Sequence, residues 1–169
     1  MNIRSEHVDD QQAIRAVHCA SFGGDSEADL VDALRRFASP LISLVAEDDL
    51  EIVGHILFSL VTLETKRDLR LMGLAPMAVT PNRQRQGIGS QLVTEGLRQC
   101  LSLNANAVVV LGHPTYYPRF GFVPASRFSI RSVYDVADDV FMIRELRRGA
   151  LVGAEGIVRY HPVFAELDL

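Results

Sequence analysis

Hydrophobic and polar positions change period several times along this chain, and each change marks an element. Ile3 begins a short strand, and Asp9 or Asp10 is placed to cap a helix that runs to about Phe22. Its apolar positions Ile14, Val17 and Cys19 leave charge on the other side, and Gly23 and Gly24 stop it. Ser26 followed by Asp29 resembles a capping box. Leu30, Val31, Leu34 and Phe37 then recur at helical spacing up to Pro40. Residues 41–46 and 52–63 are rich in β-branched and aliphatic side chains, with a hairpin turn predicted at Asp48 and Asp49. Residues 70–79 form a third apolar run, but Pro76 inside it cannot donate to a ladder, which predicts a bulge or a parting of strands.

The second half begins with a helical stripe over 88–103, carried by Gly89, Leu92, Val93, Gly96, Leu97 and Cys100. A short continuous apolar run over 107–111 follows, typical of a buried strand. This strand, helix, strand order predicts a parallel pair. Residues 128–132, 140–146 and 157–160 are strand-like, and the strand near Ile157 is expected at an edge, where it could pair across a homodimer. No repeat or linker marks a second domain, so residues 1–169 are expected to form one mixed α/β domain, a sheet covered by helices.

Length and charge narrow the function classes. A chain of 169 residues is long enough to bury about 70% of its unfolded surface without disulfides or metal. A net charge of -4 and a pI near 5.7 argue against a broad face for nucleic acid, which needs clustered Lys and Arg. Cys19 and Cys100 stand alone, so neither a CxxC redox pair nor a thiolate zinc cluster can be drawn, and no metal is expected. Asn2, Arg4, Glu6 and His7 replace the apolar run of a signal peptide, and no window approaches the ~18 apolar residues of a membrane span. A cytoplasmic protein without membrane or nucleic-acid partners is expected.

One segment carries chemistry. After the strand ending at Val79, PNRQRQGIGSQL places Gln84, Arg85, Gln86, Gly87, Ile88 and Gly89 at the opening of a helix, followed by Ser90. Early helical N–H groups have no intrahelical acceptor and carry the positive end of the helix dipole, so they suit a phosphate or pyrophosphate. Gly87 and Gly89 allow close backbone approach to an anion, Arg83 or Arg85 can add charge at the rim, and Ser90 can donate a further bond. The same glycines would also serve a tight turn with close helix packing. A dinucleotide fingerprint would need glycine at Leu92, and a Walker loop would need Gly-Lys-Ser/Thr, so neither is supported.

The stretch LAPMAVTPNRQRQGIGSQLV resembles the acyl-coenzyme A signature of the GCN5-related N-acetyltransferase superfamily, Gln/Arg-x-x-Gly-x-Gly/Ala at a strand-to-helix junction. LGHPTYYPRFGF resembles its second motif, in which a tyrosine four residues before Gly-Phe lies near the leaving sulfur, here Tyr117. With VGHILFS and GIVRYHPVF, the order of motifs is similar to a bacterial subfamily whose substrates are mostly unassigned, though that subfamily usually carries an acid where His113 stands. The resemblance spans most of the chain. It implies a mostly antiparallel sheet with a parallel pair splayed at the cofactor, and acetyl-CoA as cosubstrate. It also implies amides of residues 85–90 on the pyrophosphate, and the backbone of Met77, Ala78 and Val79 along the pantetheine arm.

Acetyl transfer to an amine with a pKa near 10.4 requires a proton acceptor. Glu27, Glu64, His55 and His113 are the candidates, and sequence does not choose among them. Tyr117 would act as general acid, chiefly by donating a hydrogen bond, because full proton transfer to a thiolate of pKa near 8.5 is uphill by roughly 2 kcal/mol. The implied reaction is direct transfer from acetyl-CoA to a primary amine of a small molecule or protein, in a ternary complex. A non-catalytic acyl-CoA-binding or sensing module and an anion-binding structural domain are the rivals.

Overall fold

The computed structural model describes residues 1–66 and 68–166. In chain order the elements are β1 (Asn2–Ser5), α1 (Gln11–Phe22), α2 (Ser26–Phe37), β2 (Leu41–Asp48), β3 (Glu51–Leu63), β4 (Leu71–Val79) and α3 (Ile88–Ser102). They continue as β5 (Ala107–Leu111), β6 (Val123–Pro124), β7 (Ile130–Ser132), β8 (Phe141–Glu145), β9 (Gly156–Arg159) and α4 (Val163–Glu166). One sheet runs β1-β2-β3-β4-β5-β8-β6, and β9 joins the end of β3 to β7. Ladders are antiparallel except β4 with β5 and β7 with β9. The strand, helix, strand unit β4-α3-β5 thus has the expected parallel pair.

Alternation along the strands assigns each face of the sheet its cover. Leu44 and Ala46 of β2 and Ile56 and Phe58 of β3 pack with Ile88, Leu92 and Val93 of α3. Val45 and Leu57, between them, pack on the opposite face with Ile14 of α1, Leu30 and Leu34 of α2, and Phe164 of α4. The helices therefore lie on both sides of the sheet.

Several local expectations need correction. Asp10 stands at the N-cap position of α1, but its side chain makes no capping bond to the helix; its carboxylate accepts from the His7 amide at 2.6 Å and pairs with Arg4 at 2.7 Å, closing a short 3-10 turn before the helix. Ser26 is the first helical residue rather than the cap of α2, and Asp29 reaches across to Arg15 on α1. A side chain that can cap can also form an interhelical ion pair, and here the second use wins. The hairpin turn lies one residue later than expected, at Asp49 and Leu50, whose φ values of 49° and 67° are the left-handed pair a tight two-residue hairpin needs. Nor is β9 an edge: Val158 faces Leu63 on one side and Ser132 on the other. Its backbone is committed within the chain.

The stripe of α1 contains a residue that the periodicity missed. His18, not Cys19, is buried beside Ile14 and Val17, while Cys19 bonds to Asp25 at 3.2 Å. His18 Nε2 lies 2.8 Å from His55 Nδ1, and His55 Nε2 lies 2.7 Å from Ser43 Oγ. Burial, aided by Arg35, holds the His18 imidazole down at about 4. Burial, then His18 and Arg35, hold the His55 imidazole well below its ordinary value. Because the folded pKa values lie below the unfolded one, folding favours the neutral rings. That stability is complete above pH 6.5 and is lost as pH falls toward 4. For His18 the loss at pH 5 is about 2 kcal/mol. Denaturant unfolding at pH 7.5 and pH 5 is therefore expected to show a fall of at least this size; equal stability at the two pH values would contradict the neutral pair.

Candidate functional site

The turn between β4 and α3 is built around two left-handed residues, Arg85 at φ 64° and Gly87 at φ 85°, with Gln86 between them outside that region. Alternation of this kind converges successive amides into an anion-binding concavity. The Gln91 amide bonds to the Gly87 carbonyl at 3.1 Å and the Gln84 amide to the Pro81 carbonyl at 3.4 Å. Among the described residues no backbone carbonyl accepts from the amides of Arg85, Gln86, Gly87, Ile88, Gly89 and Ser90. Six consecutive donors are left at the positive end of a fifteen-residue helix. The Gln84 side chain donates to the Val79 carbonyl at 3.0 Å and ties the turn to the strand. Of the two rim cations, Arg83 is held by Asp48 at 2.8 Å and by Gln86 at 3.1 Å.

The predicted interruption at Pro76 is present. Ile56 faces Met77 and Phe58 faces Leu74, so Ala75 and Pro76 together oppose Leu57 as a bulge. On the other side of β4, pairing with β5 ends at Gly73 with Val109, and the strands part beyond it. The Thr80 amide donates to the Val53 carbonyl at 2.9 Å. In an antiparallel ladder this makes Gly54 and Val79 a wide pair whose own backbone groups point away from each other. By the same alternation Ala78 exchanges bonds with His55, whereas Met77 and Val79 turn their backbone groups toward the parting.

A single cleft of about 1500 Å³ occupies the parting. Its lining includes Ile88, Gly89 and Ser90 from the α3 side, and Phe22, Glu27, Leu30 and Phe164 from the opposite face. The cleft therefore passes through the sheet where β4 and β5 separate. Tyr117 lines it and is only 7% exposed. Burial, with a smaller contribution from Tyr116, raises its phenol pKa well above the ordinary value, so the ring keeps its proton. The position of the ring depends on Gly112, where a Cβ would lie 2.2 Å from Tyr117 Cε2. The neighbouring Tyr116 ring meets Tyr117 edge-on at 5.0 Å, carries the Arg119 guanidinium 4.5 Å above it, and holds Ser90 Oγ at 3.2 Å from its hydroxyl.

The four proton-acceptor candidates separate. Glu27 and His113 line the cleft. His55 is buried between His18 and Ser43 and does not line it. Glu64 is also away from it and pairs with Arg159. Neither cysteine lines the cleft, and burial pushes the Cys100 thiol up to about 12. Among the described residues no group of three His, Cys, Asp or Glu could hold a metal, and no helix is long and apolar enough to cross a membrane. Sequence reasoning missed Phe22, Leu30, Tyr134 and Phe164 as lining residues. Phe22 was detectable as the last apolar residue at helical spacing from Ile14, on the face where it stacks against His18, but the others required the tertiary arrangement.

Comparison with known proteins gives this geometry a context. The acetyltransferase (GNAT) domain family matches residues 40–124. The uncharacterized N-acetyltransferase YhbS of Escherichia coli K12 is 38% identical over 97% of this chain and 98% of its own length. YjhQ of the same strain, also an uncharacterized N-acetyltransferase, is 42% identical over 69% of this chain and 66% of its own. The crystal structure of E. coli YhbS in complex with CoA superposes with a TM-score of 0.91, covering 97% of this chain and 91% of that one at 38% identity. A GNAT family acetyltransferase from Brucella melitensis in complex with acetyl-CoA superposes with a TM-score of 0.79 at 35% identity, covering 96% and 97% of the two chains.

Proposed function

From the premise that the chain belongs to the GNAT acetyltransferase family, we propose that the turn from Gln84 to Ser90 holds the pyrophosphate of acetyl-CoA and that the cleft transfers its acetyl group to a primary amine. The observation carrying this reading is the run of six amides without protein acceptors at the mouth of a cleft that crosses the sheet. In this reading the pantetheine arm extends the β4 ladder through Met77 and Val79, Ala78 being committed to His55. Cofactor enters from the α3 face and the amine from the opposite face, so the two meet in a ternary complex.

The neutral amine attacks the thioester carbonyl, a C–N bond forms, the C–S bond breaks and the amine proton leaves. Glu27 is the proposed base, directly or through water, because it joins carboxylate chemistry to a place on the acceptor side of the cleft. Donors near the β4 bulge stabilise the oxyanion. Tyr117, kept protonated by burial, donates a hydrogen bond to the departing thiolate. No acyl-enzyme is required. The acceptor is a small molecule or a protein amino group, and homodimers are compatible with the free edge of β1.

Acetyl-CoA-dependent thiol release with a panel of amines tests the activity, with calorimetric titration of coenzyme A as its companion. Tyr117→Phe is expected to lower kcat about 10- to 100-fold, the loss of one bond to a charged group, and to slow coenzyme A release. Acetyl-CoA affinity should stay within about twofold, since the phosphate turn is untouched. Unchanged turnover would remove Tyr117 from the mechanism. Normal cofactor binding without transfer to any amine would instead favour a sensing module.

A further inference from the structure

We infer that the acceptor is a monocationic amine with an aromatic or bulky apolar body, an arylalkylamine, rather than a polyamine or an aminoglycoside. This rests on the acetyltransferase reading above and specifies its substrate class. On the face of the sheet opposite α3 the cleft is walled by Phe22, Leu30, Tyr134, Val136 and Phe164. Phe22, Tyr134 and Val136 are 46%, 40% and 40% exposed, so three large apolar side chains remain uncovered around one opening. Such a concentration marks a surface that a ligand covers.

Charge points the same way. Glu27 is the only acidic side chain among the described residues lining the cleft. The other acids of α2, Asp29 and Asp32, are paired with Arg15 and Arg35, whereas Glu27 pairs with none of the described residues. Glu27 and Leu30 stand one turn apart on the same helix face, so a carboxylate and an apolar wall are presented together. One free carboxylate matches one ammonium group. A second or third ammonium on the same ligand would be desolvated against aromatic rings without a partner, since the described residues of the wall offer no further acid. The arginines lining the cleft, Arg83, Arg85 and Arg119, belong to the phosphate turn and to Tyr116.

The test compares thiol release from acetyl-CoA with 2-phenylethylamine, ethylamine, spermidine and kanamycin. The expected kcat/KM for 2-phenylethylamine exceeds that for spermidine or kanamycin by about 10-fold or more, as one unpaired desolvated charge would require. Phe22→Ala should raise KM for 2-phenylethylamine about 10-fold while changing ethylamine by no more than about twofold, the difference one aromatic contact makes. Val136→Glu, at an exposed position, adds a second acid and should shift the ratio toward spermidine. Equal or better use of spermidine or kanamycin overturns the inference, as does coenzyme A binding without transfer to any of the four amines. Failure to bind coenzyme A at millimolar concentration overturns the acetyltransferase reading itself, and calorimetry distinguishes that result from the others.

Discussion

Gly87→Asp is expected to weaken coenzyme A binding by about 100-fold or more while leaving the fold intact. The residue precedes α3 in a left-handed conformation, and a Cβ there would have no heavy atom within 4 Å. An aspartate therefore meets open space, and its backbone cost in the left-handed region is on the order of 1 kcal/mol, Asp being among the residues that tolerate it. Its carboxylate would stand among the six free amides, both occupying their donors and repelling the pyrophosphate. Two unit charges 4 Å apart interact by about 4 kcal/mol at an effective dielectric near 20, and even half of that exceeds a tenfold loss of affinity. Combined with the loss of amide bonds, two factors of ten are the lower expectation. Calorimetric titration beside thermal melting checks it: near-normal affinity in a folded Gly87→Asp protein would show that the phosphates lie elsewhere.

Gly96→Ala should be the most destabilising of the small substitutions considered. Gly96 lies on the buried face of α3, and its Cβ would fall 2.1 Å from Phe58 Cε2 and 2.4 Å from Cζ. Phe58 has no exposed surface and sits on β3 beside the bulge formed by Ala75 and Pro76. Either the ring or the helix must move. Overpacking commonly costs about 1–3 kcal/mol, occasionally more, and a contact this short belongs at the upper end. The gain of about 1 kcal/mol from replacing a mid-helix glycine offsets part of it. A net loss of about 2 kcal/mol corresponds to roughly 4–8 °C in Tm for a chain of this size. Because the same shift displaces α3 and its N-terminal turn, coenzyme A affinity should fall with stability. Phe58→Leu in the Gly96→Ala background should restore part of both, and an unaltered Tm for the single variant would mean that the helix and β3 are less tightly apposed than the structure has them.

Most elements were legible in the chain because their periods depend on local geometry. A residue at i+3 or i+4 shares a helix face whatever surrounds it, so α2 and α3 were readable from Leu30, Leu34, Leu92 and Leu97. Pro76 announced the bulge because a missing amide proton is a property of the residue itself. The turn of unpaired amides was legible for the same reason: helix-opening amides lack intrahelical acceptors by construction, and Gly87 permits the left-handed backbone that gathers them.

Choices between competing partners were not local, and they are where the reading failed or stopped. Asp10 and Asp29 had the chemistry of caps, but Arg4 and Arg15 approach them only after folding. His55 was indistinguishable from a cleft base until α1 supplied His18 and β2 supplied Ser43, turning it into a buried neutral ring. Glu27 and Leu30 of α2 are far in the chain from Tyr134 and from Phe164 and share no motif with them, yet all four line one cleft because the sheet opens between β4 and β5. What the chain determined by itself was therefore the set of amides left without acceptors at the opening of α3, since these follow from backbone covalent chemistry. What only the tertiary structure decided was which side chains share the cleft with those amides across the sheet, because proximity between distant residues is created by packing and has no local signature.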